Sequence, residues 1–322
     1  MNTFLWLLKR EYWENRGGFK WAPTIAGGVV LLVIAMALLT AEMTVRRHDI
    51  KVSQIHLSAL ANHLSPDQMA DVTAAINLGL FGVSFPIAMV LGIVLFFYLL
   101  NSLYDERRDR SILFWKSLPV SDTEVVLSKV FMATLVAPLM ATVAAIALIF
   151  GLLLVLTIFV AIHGGTQAIG TLWTAAEPFS VSAKLLMLIP LNALWALPTI
   201  GWLMLCSAFA RRVPFLWAVL VPVGVGTTIA LFKLMYSFEI PNYWYWKHIV
   251  SRILFSVMPG QWLDDSNMER FENADGPKDW IKALDSSAIT DLLSSPNLWL
   301  GVLAGAAMIV GAIWMRRWRD EG

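Results

Sequence analysis

The sequence predicts an all-α membrane protein that crosses the bilayer six times, and two observations support this class. Hydrophobic residues make up 58% of the 322 positions and charged residues only 15%, with a mean hydropathy of +0.66, which is too apolar for a soluble domain of this length. The apolar residues are also collected into long runs, and a helix needs about 20 such residues to cross the hydrocarbon core. No repeat or linker divides the chain, so we expect a single transmembrane domain over residues 1–322.

Six apolar runs define the expected spans in order along the chain. They cover residues 22–41, 79–103, 131–158, 185–209, 214–236 and 298–315. The first run follows a long flank of mixed charge and no cleavage pattern of small residues comes after it, which favours an uncleaved span over a signal peptide. The single cysteine, Cys206, lies inside the fourth run and has no partner for an intramolecular disulfide.

The N-terminal residues 1–21 precede the first span and have an amphipathic pattern. Apolar side chains recur every four residues, at Phe4, Leu8 and Tyr12. Such a helix suits the membrane interface, and the pair Gly17-Gly18 is expected to end it. The helix is then either an elbow that transmits movement to the first span or a simple interfacial anchor.

The distribution of basic residues predicts that both termini lie in the cytoplasm. With six spans, one side of the membrane carries 14 of the 24 Lys and Arg residues, and positively charged loops tend to stay cytoplasmic. The opposite side carries an excess of acidic residues, mainly in 261–291. The near-neutral net charge of +1 therefore hides an asymmetry and gives no support for nucleic acid binding.

Two outer segments, residues 42–78 and 237–297, are too long for turns and too apolar for disorder. We expect short helices on the outer surface of the membrane. Within the second segment, the apolar run 249–258 ends at a Pro-Gly pair and is too short to span, so it is expected to be interfacial or re-entrant.

Three histidines lie in the first outer segment, at His48, His56 and His63. The last two are seven residues apart, so a helix would put them on the same side. That arrangement fits a metal or pH-sensing site. It also fits ordinary packing, because leucines share the same face and no third ligand has helical spacing.

The segment 104–124, YDERRDRSILFWKSLPVSDTE, separates the second and third runs and begins with dense charge. After the charges, Ile112, Trp115 and Leu118 recur at intervals of three, which is typical of a narrow apolar stripe on a short helix. Pro119 is expected to end that helix, because the residue before a proline avoids the α conformation.

A second helix is expected to begin directly after this proline. Ser121 has the position of an N-cap and Glu124 stands three residues later, which is the pattern of a capping box. This helix continues through Lys129 into the third span. The whole segment is either a stiff knuckle that another protein can push or a solvated loop with an incidental cap.

The same segment resembles the cytoplasmic loop of type-2 ABC-transporter permeases, where E-R-x-x-(G/R)-(S/T)-(I/L)-x-x-x-x-S-L-P-V-S-x-x-E-(I/V)-x-x-x-K joins the second and third spans. The matching residues are Glu106, Arg107, Ser111, Ile112, Ser117, Leu118, Pro119, Val120, Ser121, Glu124 and Lys129. The N-terminus is similar to the elbow of that family at Lys9, Arg10, Glu11, Tyr12 and Arg16. The family often has Gly where Arg110 stands.

This resemblance implies the membrane subunit of an ABC exporter in the bacterial cytoplasmic (inner) membrane, with an elbow helix and a coupling helix. Its expected partners are a second permease, identical or related, and two copies of a separate ATP-binding subunit. ATP and Mg would bind to that subunit, and this chain, which has no G-x-x-x-x-G-K-[ST] loop, would bind no cofactor. The residues implied in coupling to the ATPase are Asp105, Glu106, Arg107, Ile112, Trp115, Leu118 and Pro119.

Polar residues within the fourth span are candidates for a substrate path, because polar groups are expensive in the membrane. They are Asn192 and Trp195, between Pro190 and Pro198, and Thr199, directly after Pro198. Alternatively, Asn192 forms an interhelical hydrogen bond.

Two other functions compete with transport. An ABC-type mechanotransmission or assembly subunit would act on an extracytoplasmic partner, which the acidic 261–291 segment could contact. A polytopic membrane enzyme would need a clustered nucleophile and base or a metal set, and the sequence has neither H-E-x-x-H nor G-x-S-x-G. A substrate-sized cavity within the membrane would favour transport.

Overall fold

The computed structural model describes residues 3–47, 65–117, 119–163, 168–236, 242–262 and 286–318 and the single positions 166 and 277. These residues are almost entirely helical, and none of them lies in a strand. Six helices are long and apolar enough to cross a membrane: Thr3–Thr44, Pro66–Arg108, Asp122–Ile162, Ala168–Phe209, Pro214–Phe232 and Pro296–Trp318. Five of them contain a predicted run and the fifth in order, Pro214–Phe232, covers most of the run 214–236, which confirms the prediction of an all-α, multi-pass membrane protein.

The first span is continuous with the N-terminal helix. Helix α1 (Thr3–Arg16) leads through a π-helical turn, Gly17–Trp21, directly into α2 (Ala22–Arg47). The prediction that the glycine pair ends the helix is wrong. Gly18 instead permits close packing, because a Cβ there would lie 2.7 Å from a methyl carbon of Val94 in the second span.

The chain bends before the glycines, at Asn15. Its backbone angles, φ −109° and ψ 15°, lie outside the helical range and its side chain donates to the carbonyl of Glu11. The part of α1 that precedes Asn15 is therefore set at an angle to the first span.

The second span and the loop after it consist of four helices. Helix α3 (Pro66–Gly82) and α4 (Phe85–Asn101) form the span, and α5 (Tyr104–Arg108) prolongs it. A sharp turn at Arg110, which has the left-handed φ of 56°, then leads into the loop helix α6 (Ser111–Ser117).

The remaining spans are built from the following helices. The third span comprises α7 (Asp122–Phe131), a π-helical turn (Met132–Val136) and α8 (Ala137–Ile162); the fourth comprises α9 (Ala168–Ala176) and α10 (Pro178–Phe209); the fifth is α11 (Pro214–Tyr236). After the fifth span come α12 (Asn242–Tyr245), a π-helical turn (Trp246–Val250), α13 (Ser251–Phe255) and α14 (Ser286–Ser294), and the sixth span is α15 (Pro296–Trp318).

The segment 242–262 folds back into the helix bundle. The Tyr245 hydroxyl donates to the carbonyl of Pro222, which lies well inside the fifth span, at 3.0 Å. At its other end Met258 packs against Gly92 in the middle of the second span, where a Cβ would lie 2.7 Å from the Met258 sulfur. Of the two predicted placements, interfacial or re-entrant, these contacts fit the re-entrant one.

The fourth span is the centre of the bundle. Helix α10 contacts the second, third, fifth and sixth spans and crosses α15 most closely. At this crossing the backbones of Gly201 and Gly305 touch, because neither has a side chain to separate them. The largest fully buried side chains include Leu99, Ile200 and Leu203, which lie in this central layer.

Candidate functional site

Charged side chains from four helices meet at the end of the bundle where the second and sixth spans end and the third begins. We call this cluster the buried ion network. Its members are Arg10 and Glu11 of α1, Glu106 of α5, Asp122 and Lys129 of α7, and Arg316 of α15. Among these six residues three cations face three carboxylates, and the more exposed Glu14 adds a fourth carboxylate 3.2 Å from Arg10.

Lys129 lies at the centre of the network. Its ammonium nitrogen is 2.7 Å from Oε1 of Glu11 and 3.1 Å from Oε1 of Glu106. The exposed fractions of the Lys129 and Glu11 side chains are only 4% and 1%, so water screens this pair poorly. The hydroxyl of Tyr98 donates to the second oxygen of Glu11 at 2.9 Å. Both oxygens of this buried carboxylate are therefore occupied.

Glu106 connects the loop to the sixth span. One of its oxygens accepts a hydrogen bond from the guanidinium of Arg316, whose Nε also donates to Asp122 Oδ1 at 3.0 Å. Glu106 lies in the charged segment beyond the apolar part of its helix. Burial alone would raise its pKa, but the neighbouring charges of Lys129 and Arg316 and their hydrogen bonds outweigh burial and lower the pKa to about 2.

Arg10 connects α1 to the loop helix. Its guanidinium is 2.8 Å from Glu11 and 3.1 Å from Glu106 and lies over the ring of Trp115, 3.9 Å from the ring centroid. A cation in this position is attracted by the face of the indole. A displacement of Trp115 would therefore be transmitted to α1 through the Arg10 side chain.

Arg107 connects the same loop to the fourth span. Its guanidinium donates to the carbonyls of Ser207 and Ala210, which are left without helical partners at the end of α10. In return the Ser207 hydroxyl accepts hydrogen bonds from the backbone N–H groups of Leu103 and Tyr104, both at 3.0 Å. The end of the second span is thus fixed to the end of the fourth.

The loop helix α6 has a buried and an exposed face. Ile112 is buried, and Trp115 is half-buried beside Arg10. The predicted stripe therefore faces the protein, and its third member, Leu118, lies outside the described residues. The exposed face carries Leu113 and Phe114, with exposed fractions of 58% and 59%. Sequence reasoning did not single out these two residues.

The corner after the loop helix has the hydrogen bonds of a capping box. The Ser121 hydroxyl accepts from the N–H of Glu124 at 3.2 Å, and the Glu124 carboxylate accepts from the N–H of Ser121 at 3.1 Å. Pro119 stands two residues before this cap. Of the other loop residues, Asp105 pairs with Arg108 at 3.3 Å near the surface and takes no part in the network.

The three polar residues of the fourth span lie apart from the network, and two of them, Trp195 and Thr199, contact the same residue, Arg252. Asn192 lines a cavity between the spans. Trp195 packs under the guanidinium of Arg252, 3.7 Å from its ring centroid. The Thr199 hydroxyl donates to the carbonyl of Arg252 and accepts from the N–H of Ser256, so it fastens the re-entrant segment to the fourth span.

Sequence reasoning missed the central roles of Glu11 and Arg316. The sequence pattern places Glu11 only in the elbow, and Arg316 is only one of the 14 Lys and Arg residues counted for the orientation. The available signal was that carboxylates, among them Glu11, Glu106 and Asp122, stand beside the ends of several spans on the side that is otherwise rich in basic residues.

The proposed metal or pH-sensing histidines, His48, His56 and His63, lie outside the described residues. Within the part of the chain that the structure describes, no group of three or more His, Cys, Asp or Glu residues is placed to hold a metal ion.

The fold and the network define the class of this protein as a multi-pass, all-helical membrane protein with a buried ion network at one end. No family model, no curated protein and no solved structure matches the chain.

Proposed function

We propose that this chain is the membrane-spanning permease subunit of an ABC exporter, driven by ATP hydrolysis on a separate ATP-binding subunit. In this proposal the end that carries the buried ion network faces the cytoplasm, so both termini are inside, and the membrane is the bacterial inner membrane. Two permease subunits sit on two ATP-binding subunits, which hold the ATP and Mg. This chain supplies the movement and not the hydrolysis.

The observation that carries the proposal is the way the loop helix is attached. Leu113 and Phe114 point away from the protein on a short helix whose opposite side is held by Ile112 and Trp115. Large apolar side chains exposed together in a charged loop are typical of a docking surface. We therefore assign contact with the ATPase to this exposed face, and transmission to Trp115, Glu106 and Arg107.

The network supports transmission because it joins elements that a push on the loop must move together. Glu106 and Arg107 are adjacent on α5, and they hold the sixth and the fourth span respectively. Lys129 adds the third span and Arg10 adds α1. Multiple charge-assisted hydrogen bonds in a poorly hydrated site resist independent movement of the groups they join.

A cavity of about 470 Å³ between the spans supports transport over the mechanotransmission alternative. Cavities of this size are typical of small-molecule sites, which range over about 300–1,000 Å³. The acidic outer segment, on which the alternative depends, lies largely outside the described residues.

The test is ATPase activity of the reconstituted protein, alone and co-purified with a candidate ATP-binding subunit. Phe114→Asp should abolish assembly or reduce the activity of the complex, and Trp115→Asp should leave assembly intact but weaken the coupling. Val213→Asp is the matched control, since Val213 is 56% exposed in the turn between the fourth and fifth spans. Full assembly and full ATP-dependent transport in the Phe114 and Trp115 variants would refute the proposal.

A further inference from the structure

The cavity between the spans is formed within one chain. It is lined by the second, third and fourth spans and by residues 256–262 of the re-entrant segment. Its lining on α4 extends from Phe85 to Leu95, which corresponds to about 15 Å along the helix axis. An interior that is otherwise close-packed loses many dispersion contacts around such a space unless a molecule fills it.

The lining selects against charge. It consists mainly of aliphatic and aromatic side chains with small alanines and glycines between them, and none of the described residues that line it is Asp, Glu, Lys or Arg. A charged ligand would have no counter-ion in this site and would lose its hydration on entry. A neutral and largely apolar molecule would lose little hydration free energy on entry.

The polar groups in the cavity fall into two kinds. Ser84, Thr134 and Ser256 donate their hydroxyl hydrogens to carbonyls of their own chain segments and are satisfied. By contrast, the Asn192 amide and the Thr142 hydroxyl line the cavity and form no hydrogen bond with any residue that the structure describes. Polar groups in an apolar site are normally paired, so these two are available to a ligand.

The mouth of the cavity lies beside the start of α4. Gly82 and Phe85 both line the cavity and are exposed. Facing them is Gly260, which has a left-handed φ of 80° and turns the chain at the end of the re-entrant segment. In the proposed orientation this mouth is on the side opposite to the buried ion network.

We propose that this cavity binds a neutral amphiphile, such as an acyl ester or amide with one alkyl chain, whose carbonyl or hydroxyl group is hydrogen-bonded by Asn192. A methylene group needs about the room of one water molecule, about 30 Å³, so the cavity has space for an alkyl chain of roughly 10–15 carbons. Thr142 lies along the same cavity and offers a second hydrogen bond. The proposal concerns binding alone and stands whether or not an ATPase docks on the loop helix.

The test uses the full-length chain in lipid nanodiscs without any partner. The probe is a dodecanoyl monoglyceride that carries a diazirine in its chain, and the matched probe is dodecanoic acid with the same diazirine. Both are used at about pH 9, so that the acid is ionised even though the bilayer raises the pKa of its carboxyl group. After illumination, peptide mass spectrometry locates the labelled residues. We expect the monoglyceride to label residues that line the cavity, in saturable fashion, and the acid to label them at least about fivefold less.

Two kinds of variant distinguish cavity binding from labelling by bulk lipid. Asn192→Leu keeps the volume but removes the amide, and should weaken labelling of the cavity about fivefold, the effect of one hydrogen bond. Ala141→Phe and Ala193→Phe each fill part of the cavity and should nearly abolish it. Ala306→Phe, on an exposed position of α15, is the matched control and should leave labelling unchanged.

Thermal unfolding of each variant shows whether the fold is retained, and two filling variants are used so that one folding failure does not end the test. Labelling that is spread evenly over exposed apolar residues, or that persists in a folded variant with the cavity filled, would overturn the proposal. Equal labelling of the cavity by the ionised acid would overturn the assignment of a neutral ligand.

Discussion

Replacement of Lys129 by Met removes the cation that joins α1, the loop and the third span, while the volume of the side chain is nearly kept. Glu11 then loses a partner at 2.7 Å and Glu106 loses one at 3.1 Å. Both carboxylates remain buried, so neither recovers its hydration. The variant therefore isolates the charge of Lys129 from its packing.

The size of the effect follows from the contacts that remain. Removal of one partner from a buried ion pair costs about 3–5 kcal/mol. Arg10 still contacts both Glu11 and Glu106 in the variant, so the lower end of the range applies, about 3 kcal/mol. At about 2 °C per kcal/mol for a chain of this size, Lys129→Met should unfold about 6 °C lower.

The assay is tryptophan fluorescence during heating at a fixed rate in detergent, which the 15 tryptophans make sensitive. Lys9→Met is the matched control. Lys9 is exposed and lies over the Trp6 ring at 4.9 Å, so its replacement should cost less than about 1 kcal/mol.

A double-mutant cycle separates the ion pair from other effects of the substitution. Glu11→Gln removes the negative charge that Lys129 neutralises, so the double variant should be at least about 1 kcal/mol more stable than the sum of the single effects. Unchanged unfolding of Lys129→Met, or strict additivity in the cycle, would refute the conclusion that the network holds these helices together.

Three further predictions concern the turn, the central crossing and acid. Arg110→Gly should raise the free energy of unfolding by about 1 kcal/mol, because the left-handed φ of 56° disfavours a residue with a side chain. Thermal unfolding measures this change, and a lower unfolding temperature would contradict the prediction. Gly305→Ala should lower the free energy of unfolding by at least about 2 kcal/mol, because the new Cβ would lie 2.5 Å from the backbone of Leu197. Gly28→Ala is the control and should not lower it, because the space around Gly28 is open. Similar unfolding temperatures of the two variants would argue against a close crossing. Since the pKa of Glu106 is lowered from 4.5 to about 2, its contribution to stability should be complete above pH 4.5 and be lost as the pH falls toward 2, and this part of the acid transition should be absent from Glu106→Gln.

The sequence predicted the spans well because the requirement for about 20 apolar residues is local and strong. The capping pattern at Ser121 and Glu124 is local too, and both of its hydrogen bonds are present. Arg110 is a local exception, because its left-handed φ of 56° favours Gly and the Arg side chain at this position gives no sign of that conformation.

Features that depend on distant parts of the chain could not be predicted in this way. Glu11 and Lys129 are 118 residues apart, and nothing in either neighbourhood indicates the other. The partner of the apolar stripe on α6 could not be predicted either, because a stripe on so short a helix can pack against its own protein or against another protein. The glycine pair at 17–18 resembled a helix end, whereas Gly18 lies inside a continuous helix and leaves room there for Val94 of the second span.

Site-specific crosslinking from position 114 tests the central claim most directly. The native Cys206 is buried, so Phe114→Cys provides one accessible thiol for a photoactivatable crosslinker in native membranes, with Val213→Cys as the control. We expect position 114 to crosslink to a protein that carries a phosphate-binding loop, with a yield that changes when ATP and Mg are added, and position 213 to do so much less. Crosslinking only to lipid, or to a protein without a nucleotide site, would contradict the assignment of the loop helix to an ATPase partner.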